Sequence, residues 1–255
     1  MSCALKVSSA TVRYGGVAAI DDLSFHHENG GVVGLIGPNG AGKTTLLNVL
    51  SGAVRLTTGK ISLQGRDLTS RKPHQIARLG ITRTFQNLQV FGSLSVLDNV
   101  LLPRVARGWA TAVGDMVLLP QAHRKVQAER ARALDLLDQV GIAEYAKQPA
   151  GSLPYGLQRR VEIARALAGD PELILLDEPL AGLSASESVD LTELFTKVST
   201  EGITVLLVEH DVASVLSVSK RVLVLDHGRL LADGTPDEVS ADPAVRAAYL
   251  GEEWT

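Results

Sequence analysis

Short aliphatic runs bounded by glycine, proline or charged residues recur along the chain. They cover Val32 to Ile36, Leu173 to Leu176, Thr204 to Val208 and Val222 to Leu225. Runs of this length without polar alternation are typical of strands that are buried on both faces of a parallel sheet. Because segments with helical spacing lie between them, the pattern predicts an α/β fold with helices covering a mostly parallel sheet.

Helical spacing is clear in one segment, whose apolar residues recur at steps of three or four: Leu157, Val161, Ala164 and Ala168. This spacing predicts an amphipathic helix, which should end at Asp170-Pro171 because proline disfavours helical geometry in the residue before it. We expect the polar residues of the helix to face water: Arg159, Arg160 and Glu162. Near the C-terminus, Thr235-Pro236-Asp237-Glu238 is a capping box that predicts a helix from about Pro236.

The middle of the chain has a different pattern. From about Asn87 to Ser152 there are helical and loop patterns, including the stretch Arg124 to Val140, but no convincing strand run. This predicts a helical insertion within one domain. Trp109 to Leu119 is compatible with either a loop or a short helix.

Composition narrows the classes of function. The formal charge of -3 and the pI near 6.1 show no excess of positive charge, so we expect no nucleic-acid partner. No apolar run approaches the roughly 18 to 20 residues of a membrane-spanning helix, and the first ten residues do not resemble a signal peptide. We therefore expect a cytoplasmic protein that reaches a membrane only through a partner. The lone Cys3 excludes an internal disulfide.

A complete phosphate-binding pattern follows the first aliphatic run: Gly37-Pro38-Asn39-Gly40-Ala41-Gly42-Lys43-Thr44. In this pattern backbone N–H groups and the N-terminus of the next helix, here predicted from Lys43 to Leu50, surround phosphate oxygens. Lys43 would reach the β- and γ-phosphates, and Thr44 would offer its hydroxyl to magnesium. Thr45 completes the predicted nucleotide-binding set. The alternative is a glycine-rich turn with only a structural role.

Two carboxylates, Asp177 and Glu178, end the run Leu173 to Leu176. Burying a carboxylate is costly unless it is paired or bound to metal, so two of them at a sheet edge indicate a ligand. Asp177 would hold magnesium through water, and Glu178 would polarise an attacking water as general base. Because adjacent residues leaving a strand point in different directions, their roles should differ. The alternative is an exposed acidic turn before Pro179.

With these motifs in this order, the chain resembles the ABC ATPase family along nearly its whole length. The resemblance implies a P-loop core with an N-terminal antiparallel β portion (residues 1–86 and 161–255) and a helical subdomain (residues 87–160). It also implies ATP and Mg²⁺ as ligands. The implied partners are membrane permease subunits and a second ATPase subunit, and the chain itself would not touch the transported substrate.

Three further site residues come from the resemblance alone. Gln86 resembles the glutamine that contacts magnesium and the attacking water, and His210 resembles the histidine that contacts the γ-phosphate. Tyr14 resembles the aromatic residue that stacks on adenine, and stacking gives affinity with little base selectivity. Without the resemblance, each would be interpreted as an ordinary solvated or packed side chain.

The family signature, commonly Leu-Ser-Gly-Gly-Gln, is altered in this chain. The matching stretch is Leu153-Pro154-Tyr155-Gly156-Leu157-Gln158, so that Pro154 replaces the serine hydroxyl. Tyr155 and Gly156 are the predicted signature contacts to nucleotide on a partner subunit, while a plain helix start is the alternative. Ser184 stands where the family has an aspartate. We therefore hypothesise pairing with a different ATPase chain.

Three stretches of the sequence resemble one subgroup of the family in particular: Gly80 to Gln86, Tyr155 to Arg165 and Ala248 to Glu252. They are similar to ATP-binding subunits of high-affinity branched-chain amino acid importers. Lipopolysaccharide export, urea uptake and a soluble assembly ATPase remain as alternatives. By the same resemblance a permease helix would dock at about Asn87 to Pro103, although the apolar residues there could equally belong to the core: Leu88, Val90, Phe91, Leu94 and Val96.

Overall fold

The computed structural model describes residues 5–28, 30–84, 88–104 and 120–249. Internal contacts divide the chain into two compact units. The first unit comprises Met1–Arg83, Glu172–Pro179 and Phe195–Thr255, and the second comprises Thr84–Pro171 and Leu180–Leu194. The boundaries expected from the sequence, after residues 86 and 160, stay a prediction.

The strands, numbered β1 to β10 in chain order, are Leu5–Tyr14, Val17–His27, Gly31–Ile36, Thr58–Leu63, Arg66–Asp67, Ile81–Arg83, Leu173–Asp177, Thr204–Val208, Arg221–Asp226 and Arg229–Gly234. The helices, numbered α1 to α9, are Lys43–Leu50, Pro73–Arg78, Val96–Arg104, Pro120–Gln139, Tyr155–Leu167, Ala185–Thr200, Val212–Val218, Pro236–Ala241 and Pro243–Ala248. The four aliphatic runs are confirmed as β3, β7, β8 and β9, and the capping box is confirmed at the start of α8.

A six-stranded sheet forms the centre of the first unit, in the order β10-β9-β3-β8-β7-β6. Its pairings are parallel except for β9 with β10. Every residue of β3, β7 and β8 is buried, as expected for strands covered on both faces. In the register, Leu35 and Asp177 lie on either side of Val208. The carboxyl ends of β3, β8 and β7 therefore meet at one edge.

A second, antiparallel sheet in the first unit has the order β2-β1-β4-β5. Its inward side chains share one apolar core with α1 and with the six-stranded sheet; representative members are Val7, Leu23, Leu46, Leu47, Leu175 and Leu206. Burial of these aliphatic side chains supplies the main stabilisation of the unit. The N-terminal antiparallel portion implied by the family resemblance is thus present.

The second unit is helical in the residues that the structure describes. It contains α3, α4, α5 and the first part of α6, with 3₁₀ turns at Ala143–Tyr145 and Ala150–Ser152. Its described part has no strand, and a single isolated bridge joins Ser95 to Pro149. The stretch Trp109 to Leu119 lies outside the described residues. None of the described helices has the length and apolar character needed to cross a membrane.

One expectation for α5 is wrong. Arg159 and Glu162 do not face water: their side chains are 0% and 1% exposed. Arg159 Nη1 donates to Glu162 Oε2 at 2.7 Å, and Arg159 Nη2 donates to the Tyr155 hydroxyl at 2.8 Å. Spacings of three and four residues place these groups on one face of the helix, so the charges neutralise each other locally and can be buried. Arg160, by contrast, is half-buried.

Replacing Arg159 by methionine keeps much of its aliphatic volume but removes the cation that pairs with Glu162. We expect the free energy of unfolding to fall by about 3–5 kcal/mol, because a buried carboxylate loses its counter-ion. Urea denaturation followed by circular dichroism measures this change. The double variant Arg159→Met/Glu162→Leu should recover most of the loss.

The exposed pair of Arg132 with Asp170 provides the control. Arg132→Met should change the free energy of unfolding by less than about 1 kcal/mol, since solvent screens exposed pairs. A double variant no more stable than Arg159→Met would contradict the assignment of the loss to an uncompensated charge.

Candidate nucleotide-binding site

A cleft of about 330 Å³ opens in the first unit at the carboxyl edge of the six-stranded sheet. It is lined by Ala19 of β2, by the loop and first turn after β3, by the residue after β7 and by the end of β8 with the residues that follow it. The lining residues besides Ala19 are Asn39, Gly40, Ala41, Gly42, Lys43, Thr44, Thr45, Glu178, Val208 and His210. Residues from four separate parts of the sequence therefore meet in one place. In open α/β sheets, ligands bind at this edge.

The loop after β3 is held in a conformation that requires glycine at its end. Gly42 caps α1 with φ 104°, a left-handed conformation that residues with a side chain rarely adopt. A Cβ on Gly42 would also lie 2.6 Å from the backbone oxygen of Ala19. The Gly228 amide donates to the oxygen of Ala41 at 3.0 Å and ties the loop to the β9–β10 turn. The loop is thus fixed by backbone contacts.

Lys43 is the first residue of α1, and its side chain turns back over the loop. Its Nζ donates to the backbone oxygen of Gly37 at 2.5 Å and to that of Pro38 at 3.1 Å. The residue is 8% exposed. A buried ammonium held over a turn of backbone amides and a helix N-terminus creates a positively charged cradle, which suits a polyphosphate.

The two carboxylates at the end of β7 have different partners. Asp177 ends the strand with its side chain 8% exposed, and its Oδ2 accepts from Arg83 Nη2 at 2.8 Å. Glu178 has φ 50°, which turns the chain out of the strand while its amide still donates to the Val208 oxygen at 2.9 Å. Glu178 Oε1 lies 2.8 Å from His210 Nε2. The left-handed backbone at Glu178 thus marks the end of the strand, and the two carboxylates bond to different partners.

The pair of Glu178 and His210 lies at the mouth of the cleft. The Glu178 side chain is 15% exposed, while that of His210 is 62% exposed. A carboxylate oriented by an imidazole and open on one side to the cleft can accept a proton from a water molecule there. The geometry fits a base opposite a phosphate-binding loop.

The comparisons with known proteins agree with this geometry. A family model described as ABC transporter matches residues 20–181, which is more than half of the 255-residue chain. The chain belongs to the ABC transporter family of ATPases. A second model, described as branched-chain amino acid ATP-binding cassette transporter, matches residues 229–255.

Similar proteins cover this ATPase from end to end. It is 40% identical to the high-affinity branched-chain amino acid transport ATP-binding protein BraF of Pseudomonas aeruginosa over 249 residues, covering 97% of this chain and 98% of that one. It is 39% identical to the corresponding protein LivG of Escherichia coli over 250 residues, with coverage of 97% and 98%. A crystal structure of the ADP conformation of an ATP-binding cassette matches with a TM-score of 0.85 and 29% identity, covering 99% and 100%.

Three further predicted site residues of this ATPase lie at the ends of a strand and a helix. Tyr14 ends β1 and is 52% exposed, so its ring is accessible. Tyr155 and Gly156 form the first turn of α5 in the second unit. Gln86 lies outside the described residues. The structure therefore brings together the phosphate loop with Glu178 and His210, and it adds Asp177 at the neighbouring strand end.

The signature region of this ATPase is stabilised within the second unit. Pro154 caps α5, and the Tyr155 hydroxyl is held by Arg159. Gly156 lies against the Glu187 carboxylate, which a Cβ at that position would displace. Ser184 donates to Glu187 Oε2 from its hydroxyl at 2.6 Å and from its amide at 2.8 Å, and these bonds lower the pKa of Glu187. Ser184 and Glu187 thus form a reciprocal cap at the start of α6.

Sequence reasoning missed Arg83 and Asn48. Arg83 ends β6, and its Nη1 donates to Asn48 Oδ1 at 2.7 Å while Nη2 binds Asp177. Arg83 lies between two threonines and outside every predicted aliphatic run, so no pattern singled it out, although a buried guanidinium calls for a counter-ion. Nothing in the sequence identified Asp177, 94 residues away, as that counter-ion.

The donor set of the site fits both a nucleotide and magnesium. The loop offers backbone amides and Lys43 to phosphate, while Thr44 and Asp177 offer the hard oxygen ligands that Mg²⁺ prefers. Among the described residues, no group of three or more His, Cys, Asp or Glu side chains could hold a metal ion. Mg²⁺ in proteins is usually held by few protein ligands, water and substrate phosphates.

Lys43→Ala should weaken binding of a fluorescent ATP analogue by roughly 10- to 100-fold, because a charge-assisted contact to phosphate is lost. Lys60→Ala is the matched control, since Lys60 is an exposed lysine on β4 of the same unit. Fluorescence titration measures both affinities, and thermal melting checks that each variant is folded. Unchanged affinity in Lys43→Ala would show that the loop is not the phosphate site.

Proposed function

We propose that this chain is the ATP-hydrolysing subunit of an ABC importer that powers the uptake of branched-chain or related amino acids through partner permeases. The observation that carries the hydrolytic part is the single cleft that holds the phosphate loop, Glu178 and His210. The match of residues 229–255 to the branched-chain amino acid model, together with the names of the relatives, supports the class of substrate.

In the proposed reaction the chain binds ATP by its phosphates and activates water against the γ-phosphate. Backbone amides of the loop and Lys43 hold the phosphates, and the exposed ring of Tyr14 stacks on the base. Glu178 orients and deprotonates the attacking water, and His210 contacts the γ-phosphate. By the family resemblance, Gln86 would contact the metal and the attacking water.

Magnesium, when bound, neutralises charge on the β- and γ-phosphate oxygens. The residues proposed to hold it are Thr44, whose side chain lines the cleft, Asp177 at the end of β7, and Gln86. Their oxygen ligands match the preference of this cation. The role of this chain is to fix those oxygens in place.

A second ATPase subunit completes the proposed site. Tyr155 and Gly156 at the N-terminus of α5 would face nucleotide held by the partner, where the remaining backbone amides of the first turn can bind phosphate. Pro154 supplies neither a hydroxyl nor an amide hydrogen. This departure supports a partner that is a different ATPase chain, so that the two composite sites are not equivalent.

The proposed permease contact lies on the second unit around residues 88–96. Phe91 is 54% exposed, and the guanidinium of Arg165 lies 5.7 Å from its ring. Asn99 fixes the turn, because its side chain bonds both the amide and the oxygen of Phe91. Val96 belongs to the core at 0% exposure, whereas Leu88, Val90 and Leu94 are half-buried. Through such a contact the chain would sit peripherally on the cytoplasmic face of the membrane, away from the transported substrate.

Glu178→Gln should keep ATP affinity within about twofold while lowering kcat by at least about 100-fold, because the amide cannot accept the proton from water. The variant should also accumulate as an ATP-bound dimer when its partner is present. Phosphate release and size-exclusion chromatography measure the two effects. Glu193→Gln, an exposed position on α6, is the control. Normal turnover in Glu178→Gln would refute the assignment of the base.

Reconstitution tests both the partner and the substrate class. We expect the chain to copurify with membrane-spanning subunits and a second ATPase, and ATPase activity to rise at least about tenfold in that complex, since closure assembles the site. Vesicles holding the complex and its binding protein should accumulate labelled leucine. Full turnover by a homodimer alone would contradict the heteromeric pairing, and lipopolysaccharide-stimulated turnover without amino acid uptake would contradict the substrate class.

A further inference from the structure

We propose that Arg83 is a positioning residue for ATP hydrolysis, which fixes the magnesium-binding carboxylate Asp177 by bridging it to the end of α1. This inference rests on the proposed function, in which Asp177 helps to hold magnesium. Arg83 itself would touch neither nucleotide nor metal. Its effect would pass entirely through the orientation of the Asp177 side chain.

The bridge consists of three contacts made by one guanidinium. Arg83 Nη2 donates to Asp177 Oδ2 at 2.8 Å, and Nη1 donates to Asn48 Oδ1 at 2.7 Å and to Ser51 Oγ at 3.3 Å. The side chains of Arg83 and Asp177 are 9% and 8% exposed. The carboxyl end of β7 is therefore connected to the end of the helix whose first turn carries Lys43 and Thr44.

The bridge engages only one oxygen of Asp177. Among the described residues, Asp177 accepts from Arg83 through Oδ2, so that Oδ1 can accept a hydrogen bond from a metal-bound water. Outer contacts that orient a ligating carboxylate usually change metal affinity or activity by about 10- to 100-fold. Because the guanidinium is planar and donates in a fixed fork, it restricts the carboxylate more than a lysine ammonium would.

A second arginine pairs with a carboxylate at the opposite end of β7, away from the cleft, and serves as an example of a purely structural pair. Arg66 is ion-paired with Glu172, the residue before β7, and their side chains are 40% and 33% exposed. The pair of Arg83 joins the end of β7 to its sheet neighbour β6, whereas the pair of Arg66 joins the start of β7 to β5 of the other sheet in the first unit. Only the pair of Arg83 lies at the edge that carries the cleft. Arg66 is therefore a matched control.

The test compares wild type with Arg83→Met, Arg83→Lys and Arg66→Met in the full chain. The readout is the affinity for a fluorescent ADP analogue, titrated in excess Mg²⁺ and again in excess EDTA, with thermal melting of each variant. Steady-state ATPase kinetics at varied Mg²⁺ accompany the titrations. Arg83→Met retains an aliphatic side chain, so that loss of the guanidinium is separated from loss of packing.

In Arg83→Met we expect the Mg²⁺-dependent gain in nucleotide affinity to shrink by about tenfold, with the affinity in EDTA unchanged within about twofold. The kcat should fall by about 10- to 100-fold and the Mg²⁺ requirement should rise. Arg83→Lys should be intermediate. Arg66→Met should lower the melting temperature without altering the Mg²⁺ dependence.

Three results would overturn the inference: equal losses in Mg²⁺ and in EDTA, a Mg²⁺ response in Arg83→Met equal to that of wild type, or tighter Mg²⁺-dependent binding in Arg83→Met. The last would mean that the guanidinium competes with the metal for Asp177. Absence of any Mg²⁺ effect in the wild-type chain would instead contradict the proposed function itself. The two failures are therefore distinguishable.

Discussion

The parallel pairing of β3, β8 and β7 is the constraint on which the site depends. In this register Leu35 and Asp177 flank Val208, so three strands end at the same edge. The phosphate loop, Glu178 and His210 lie next after those strand ends, and none of them needs a long connection to reach the cleft. Burial of all residues in the three strands makes a slip of register costly, because every backbone group in them must stay paired. The same packing that stabilises the core therefore also fixes the spacing between loop and base.

Buried charges among the described residues are bonded directly to polar groups: Lys43 binds backbone oxygens, and two arginines bind carboxylates. Arg83 with Asp177 and Arg159 with Glu162 are the two most enclosed ion pairs among the described residues. They differ in origin, because the second joins residues three apart on one helix, whereas the first joins residues 94 apart on neighbouring strands. A local pair can form with its helix, while the long-range pair depends on correct assembly of the sheet. The pair of Arg83 with Asp177 can therefore form only when the catalytic edge of the sheet is assembled.

The sequence predicted the elements that carry strong periodic or motif signals. Thr204 to Val208 and Lys43 to Leu50 match a strand and a helix to the residue, since aliphatic runs and a glycine-rich loop before Lys-Thr leave little freedom. It failed for Arg159 and Glu162, because an amphipathic pattern counts charges as solvated and cannot see a pair that neutralises itself within one turn. It also could not pair Arg83 with Asp177 or show that φ at Glu178 is positive. Those features depend on tertiary contacts and not on local pattern.

The altered signature region shows how a changed motif can keep its local structure. With proline at the cap of α5, the first turn has no capping side chain, yet Tyr155 is held through Arg159 and Gly156 lies against Glu187. Glu187 in turn accepts from Ser184, so one carboxylate joins the start of α6 to the start of α5 within the second unit. A Cβ at position 156 would displace the Glu187 carboxylate, and removal of the Ser184 hydroxyl would remove its bond to Glu187. Ser184 and Gly156 are therefore connected through Glu187, whereas Pro154 acts on α5 only as its cap.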